Sequence, residues 1–99
     1  MKSIEFGSFI KSIRESKSIP QRIVAHKLDI DTSTLSKIEL GERQLNIEMI
    51  KGLAGVLEID FKTLQIKFIS EKLLSEYSGQ PFFKEALIQV IENLEYNGR

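Results

Sequence analysis

Four polar or basic side chains that lie close together in the sequence are the best candidates for recognising a ligand by hydrogen bonds: Thr32, Ser33, Ser36 and Lys37. Their hydroxyls can donate and accept hydrogen bonds, and the Lys37 ammonium can donate to O6 and N7 of guanine. None of the four is bulky or acidic, so a helix that presents them can approach the base edges of a DNA major groove. A solvated helix face is the alternative interpretation.

Residues that support catalysis or metal binding are scarce. His26 is the only histidine, and the absence of cysteine excludes thiolate nucleophiles, disulfides and thiolate metal sites. The sequence has no glycine-rich phosphate loop and no carboxylates at metal-binding spacing. We therefore expect a protein that is not an enzyme and that uses no cofactor and no metal. His26 is expected to be solvated.

Length and composition indicate one folded domain. The chain has 99 residues, of which 41% are hydrophobic and 28% are charged, as in ordinary globular proteins. Apolar runs reach only three or four residues, and the first five residues do not resemble a signal peptide. These features predict a soluble cytoplasmic protein with no membrane contact.

Charge gives little guidance about partners. Fourteen basic and fourteen acidic residues cancel, with nine basic and seven acidic residues in 1–52 and five and seven in 53–99. The net charges of these two segments, +2 and −2, are small. Any argument for nucleic-acid binding therefore depends on where individual charges lie.

Apolar residues recur at helical spacing throughout. The spacing predicts a first helix near residues 5–17, capped by Ser3, and a second helix from Pro20, in its first turn, to about residue 28. Asp31 is predicted to cap a third helix that Gly41 terminates, and Asn46 to cap a fourth. A fifth helix follows Asp60 towards residue 77. A last one covers residues 82–96, with an apolar stripe formed by Phe83, Leu87, Val90, Ile91 and Leu94.

The second and third helices form a helix-turn-helix pattern. Ala25 is small enough for the two helices to cross closely, and Ile30 in the turn is predicted to fill the gap between them. Leu35 and Ile38 then bury the inner face of the third helix, which leaves its polar residues pointing outwards.

Residues 21–43 resemble the lambda-repressor-like helix-turn-helix family, the phage repressor/Cro or XRE class of bacterial regulators. The segment Ser33–Glu39, followed closely by Gly41, is a specific signature of this family, and the resemblance extends from about Phe6 to Leu64. It implies an all-α fold, a five-helix DNA-binding domain with an additional C-terminal helix. Residues 1–64 would be the DNA-binding core, and residues 65–99 a helical extension of the same domain that serves dimerisation.

The resemblance also implies roles for individual residues. Gln21 matches a glutamine that contacts phosphate, and Arg43 lies where the family contacts the DNA backbone. Thr32, Ser33 and Lys37 match positions that reach base edges, with Ser36 beside them. A partly buried ion pair between Arg14 and Glu39 is expected to join the first helix to the third.

Three residues depart from the family pattern. Pro20 and Leu40 replace residues that are polar in many relatives, which removes phosphate contacts. Glu42 places an anion near the expected DNA backbone and would weaken binding by repulsion. These departures indicate that each subunit binds DNA with moderate affinity and that binding depends on a dimer.

The function expected from this pattern is sequence-specific binding of double-stranded DNA by a homodimeric transcriptional regulator, a repressor on a palindromic operator. The alternative is a protein-interaction or antitoxin-like module that keeps the fold and binds a partner protein. Four aromatic residues in the C-terminal half belong either to the core or to a dimer contact: Phe61, Phe68, Phe82 and Phe83.

Overall fold

The computed structural model describes residues 4–96, and every regular element in this range is helical. In chain order the elements are α1 (Ile4–Ser16), α2 (Gln21–Lys27), α3 (Thr32–Glu39), a 3₁₀ turn (Ile47–Met49), α4 (Ile50–Leu57), α5 (Phe61–Tyr77) and α6 (Phe83–Tyr96). The predicted all-α class, with five core helices and one further C-terminal helix, is confirmed. The predicted cap Ser3 lies outside the described residues.

One apolar core joins α1 to α5. Helix α1 packs against α3 and α5, α2 packs against α3 and α4, and α4 packs against α5. Leu35 of α3 and Leu53 of α4 are fully buried at its centre. Ala25 and Ile38 are buried and Ile30 packs against the core from the turn, as the helix-turn-helix pattern predicts.

Four helices end in the same way, with one residue in the left-handed conformation. These residues are Ser18, Asp29, Gly41 and Glu58, which follow α1, α2, α3 and α4. The next residue donates its N–H to a carbonyl five positions back, for example from Ile30 to Ala25 at 3.0 Å. In three of the four turns that residue is an isoleucine packed on the core: Ile19, Ile30 or Ile59. These three turns therefore end their helices and direct an apolar side chain onto the core, whereas Gly41 is followed by the exposed Glu42.

Two predicted helix starts are wrong in detail. Pro20 precedes α2 as its N-cap, in extended conformation, and does not lie within the first turn. Asn46 precedes the 3₁₀ turn and not α4, and its side chain makes no cap hydrogen bond. The carboxylates of Asp31 and Asp60 do accept hydrogen bonds from Thr34 N and Thr63 N, so the predicted Asp31 cap is confirmed.

The C-terminal aromatic residues do not form one cluster. Phe68 is buried and meets Phe6 edge to face at a centroid distance of 5.2 Å. Phe83 is half-buried against Tyr77, whereas Phe61 and Phe82 are exposed. Only Phe68 therefore belongs to the core.

Helix α1 crosses the end of α3 at Gly7. A Cβ atom at this position would lie 2.8 Å from the carbonyl oxygen of Glu39 and closer still to that of Ile38. Both obstacles are backbone atoms, which cannot move without separating the helices.

We expect Gly7→Ala to lower the free energy of unfolding by about 1–3 kcal/mol, because the overlap outweighs the better helix propensity of alanine. Gly55→Ala is the matched control, since a Cβ on Gly55 would meet nothing within 4 Å. It should raise stability by up to about 1 kcal/mol. Urea denaturation measures both, and equal effects of the two substitutions would contradict this account.

Candidate nucleic-acid interface

The outward face of α3 carries the predicted base-contacting residues. Thr32, Ser33 and Lys37 are exposed, while Leu35 and Ile38 on the opposite face are buried. Ser36 is half-buried at the edge of the exposed face. The exposed face is therefore narrow, polar and basic, as the sequence predicts.

The cap of α3 already engages one of these residues. Asp31 Oδ1 accepts hydrogen bonds from Thr34 N at 2.7 Å and from Ser33 Oγ at 3.0 Å. Hydrogen bonds from Thr34 and Ser33 lower the pKa of Asp31 below its usual range. The carboxylate therefore stays charged and keeps its capping bonds until the pH falls through this lowered pKa. Ser33 retains its oxygen lone pairs for a further contact.

A buried ion pair joins α1 to the end of α3. Arg14 Nε donates to Glu39 Oε2 at 2.7 Å and Arg14 Nη2 donates to Glu39 Oε1 at 3.1 Å. Their side chains are only 10% and 4% exposed, so solvent screens the pair weakly. Hydrogen bonding to Glu39 raises the pKa of Arg14, against the effect of desolvation. The ion pair expected from the family resemblance is therefore present, and in the structure it is bidentate and buried.

Gln21 extends the network from α2. Its Nε2 atom donates to Glu39 Oε1 at 3.0 Å and to Ser36 Oγ at 3.1 Å, and the residue is half-buried. Two predicted site residues, Gln21 and Ser36, are thus hydrogen-bonded to each other and attached to the ion pair. Arg14, Glu39, Gln21 and Ser36 together link three helices, which fixes the orientation of α3 relative to α2.

Arg43 lies beyond α3, in the loop that Gly41 starts, and is exposed next to the exposed Glu42. It borders a cavity of about 30 Å³ that Glu71 of α5 also lines. Glu71 is paired with Lys67 through Oε2, and its Oε1 is buried without a hydrogen-bond partner among the described residues. A cavity of this size accommodates about one water molecule.

Sequence reasoning did not assign two exposed polar residues, Arg22 and Asn46, to the candidate site. Arg22 is exposed beside Gln21 in the first turn of α2. Asn46 is exposed and is not used as a cap. A cap position gives no signal that its side chain is unused. Arg22 is identifiable as the residue that follows Gln21, which the family resemblance matches to a phosphate contact. Among residues 4–96, no three histidine or acidic side chains converge as a metal site requires.

Comparison with known proteins gave one match, to a protein family. A family model described as helix-turn-helix matches residues 10–64, which is more than half of the chain. No curated protein and no solved structure gave a match. No helix in residues 4–96 is long and apolar enough to span a membrane.

We expect Arg14→Met to lower the free energy of unfolding by about 3–5 kcal/mol, because it leaves Glu39 buried without its counter-charge. The double variant Arg14→Met/Glu39→Met should recover most of that loss, since neither charge then remains. Chemical denaturation of the wild type, both single variants and the double variant gives the coupling free energy. Additive losses would show that the two side chains act independently.

Proposed function

The chain belongs to the lambda-repressor-like (XRE) helix-turn-helix family of DNA-binding regulators, and from this membership we propose that it is a sequence-specific transcriptional repressor. The observation that carries the proposal is the exposed polar and basic face of α3, formed by Thr32, Ser33 and Lys37 above a buried apolar face. In the proposed complex this face lies in the major groove.

The base contacts follow from the residue types. Lys37 donates to O6 and N7 of guanine, and Thr32 and Ser33 make shorter contacts to base edges or to a thymine methyl. Because these side chains are small, part of the readout passes through water. Ser36 contributes from the edge of the face through its contact with Gln21.

Phosphate contacts set the register of α3 in the groove. In the complex Gln21 exchanges its Nε2 hydrogen bond to Ser36 for one to a phosphate at the start of α2, while its Oε1 still accepts from Ser36 Oγ. Arg43 contacts the backbone beyond α3. The buried pair of Arg14 and Glu39 holds Gln21 in place through Glu39 Oε1 and does not itself touch DNA. Occupation of the operator then blocks other proteins sterically.

One copy reads half of a site, so we propose a homodimer on a palindromic operator, with residues 65–99 as the dimerisation segment. Two-fold symmetry places two α3 helices about 34 Å apart on one face of the duplex. The exposed apolar residues of α6 support this role, and they equally support the second candidate function, binding of a different protein by an antitoxin-like module.

Selection from random duplex DNA tests the proposal directly. We expect wild type to enrich a palindrome with half-sites about one helical turn apart, and Lys37→Ala to lose affinity by about 1–3 kcal/mol for that site and relax the preference at one base pair. Lys84→Ala is the control, since it also removes a lysine but does so on α6, far from α3 in the sequence. This variant should keep the base preference of wild type. Absence of binding even at low salt would refute the DNA hypothesis.

Leu40 allows a separate test of backbone contact. It is 53% exposed at the C-cap of α3, where many relatives carry a polar residue. We expect Leu40→Asn to raise affinity for specific and non-specific duplexes alike, by on the order of 1 kcal/mol, because the amide gains a phosphate hydrogen bond. Leu40→Ala is the control, since it removes the same apolar group and adds no donor. Equal affinities of the two variants would argue against a phosphate at this position.

A further inference from the structure

One carboxylate oxygen of α5 is buried and has no hydrogen-bond donor. Glu71 is 8% exposed, and its Oε2 atom pairs with Lys67 Nζ. The other oxygen, Oε1, is shielded from solvent and accepts no hydrogen bond among the described residues. A carboxylate oxygen that is removed from water without a donor loses its hydration free energy with no compensation. Glu71 Oε1 therefore needs a donor at this position.

The two lysines next to Glu71 on α5 do not supply this donor. Lys67 Nζ is bound to Oε2 and lies 4.7 Å from the ring centroid of Phe9. Lys72 Nζ lies over the ring of Phe68, 5.9 Å from its centroid. Both ammonium groups are thus placed over aromatic rings, an attractive arrangement in itself. Neither of them donates to Glu71 Oε1.

The loop after α3 has the opposite deficit, donors without acceptors. The N–H groups of Gly41 and Glu42 donate to carbonyl groups of α3 at 3.0 and 2.9 Å. The next three N–H groups, of Arg43, Gln44 and Leu45, donate to no backbone carbonyl in the part of the chain that the structure describes. Leu45 is buried, and buried N–H groups are nearly always paired. These donors therefore need an acceptor from outside the loop.

One cavity brings the unpaired acceptor and these donors together. It is lined by Arg43, Gln44 and Leu45 of the loop and by Glu71 and Lys72 of α5, and Glu71 is its only acidic lining residue. The cavity measures about 30 Å³, which is enough for one water molecule with two or more polar partners. Such a water donates to Glu71 Oε1 and accepts from an N–H group of the loop.

We propose that Glu71 is a positioning residue for DNA binding, which holds residues 43–45 in their DNA-contacting conformation through one buried water. The inference rests on the proposed function, in which Arg43 contacts the DNA backbone, and it adds a residue of α5 to the groups that orient this contact. Glu71 itself touches no DNA. The pair with Lys67 fixes the carboxylate through one oxygen, and the water links the other oxygen to the loop.

Arg43 depends on the loop for its position. It is exposed and forms no ion pair within residues 4–96, so no acidic side chain there orients it. Ordering a loop at the moment of binding costs conformational entropy, and a loop that is already held avoids this cost.

The sign of the effect separates positioning from simple electrostatics. Removing an acidic residue adds one positive charge to the protein, which by itself strengthens binding to an anionic duplex. A positioning role predicts the opposite, since loss of Glu71 frees the loop and weakens the contact of Arg43 with phosphate.

Binding of the full chain to a fluorescently labelled duplex of arbitrary sequence, measured over a range of salt concentrations, tests the inference. We expect Glu71→Met to lower affinity about three- to tenfold and to reduce the slope of log affinity against log salt by about one, as loss of one phosphate contact does. Glu71→Gln removes the same charge but keeps an amide that bonds to both Lys67 and the water, so it should bind within about twofold of wild type. Glu76→Met is the matched control, at an exposed residue of the same helix, and should lose no affinity.

Arg43→Ala completes a double-variant cycle. Because Glu71 acts through Arg43, Glu71→Met should cost no further affinity in the Arg43→Ala background. Urea denaturation should show every variant folded, since Lys67 is partly exposed and regains water when its partner is removed. Additive losses, higher affinity of Glu71→Met than of wild type, or equal losses in Glu71→Met and Glu71→Gln would each overturn the inference.

Amide hydrogen exchange gives a readout that does not depend on DNA. We expect at least one N–H group of residues 43–45 to exchange about tenfold faster in Glu71→Met than in wild type or Glu71→Gln, while the amides of α4 stay protected in all three. Unchanged exchange in Glu71→Met would refute the inference and leave the proposed function intact. A wild type that binds no duplex even at low salt would refute the proposed function, and the exchange rates would still decide whether Glu71 holds the loop.

Discussion

The orientation of the helix-turn-helix depends on the buried ion pair between Arg14 and Glu39. Removing two charges from water costs several kcal/mol for each ion, so the pair persists only because its hydrogen bonds are short and nearly complete. Arg14 also donates to the carbonyl of Ile19 at 3.0 Å, which ties the turn after α1 to the same guanidinium. Gln21 donates a second hydrogen bond to Glu39 Oε1 and another to Ser36 Oγ. A polar network inside an otherwise apolar core admits few alternative arrangements, because each one would leave a charge unpaired.

Backbone turns and side-chain packing act together around this network. Each left-handed turn after α1, α2 and α4 stops the helix and directs the following isoleucine onto the core. The turn after α3 differs, because the residue after Gly41 is the exposed Glu42. The chain therefore leaves the core at this point and carries Arg43 out beside the proposed DNA surface.

Helix α5 contributes to both of the roles that we propose for the molecule, DNA binding and dimerisation. Its inner face completes the core on which α3 is held, through Leu64 and Phe68. Its opposite face, with the exposed Ile66 and Ile69, lies in the segment 65–99 that we propose for dimerisation. Because one rigid helix carries both faces, pairing of two chains would fix the distance between their α3 helices. That distance, and not the contacts of one copy, decides whether both half-sites of an operator can be occupied at once.

The sequence by itself determined the helices, the family and the outward face of α3, because these depend on local signals: helical spacing, the Asp31 cap, Gly41 and a signature confined to residues 33–41. Apart from the pair of Arg14 and Glu39, which the family resemblance implies, only the tertiary structure decided which polar side chains meet. The contact of Gln21 with Ser36 joins residues fifteen apart on different helices, and no local pattern encodes the angle between those helices. The same limit explains the 3₁₀ turn after Asn46 and the division of the aromatic residues into buried Phe68 and exposed Phe82. Periodicity identifies an apolar face, but only packing decides whether the chain itself has a surface to cover it.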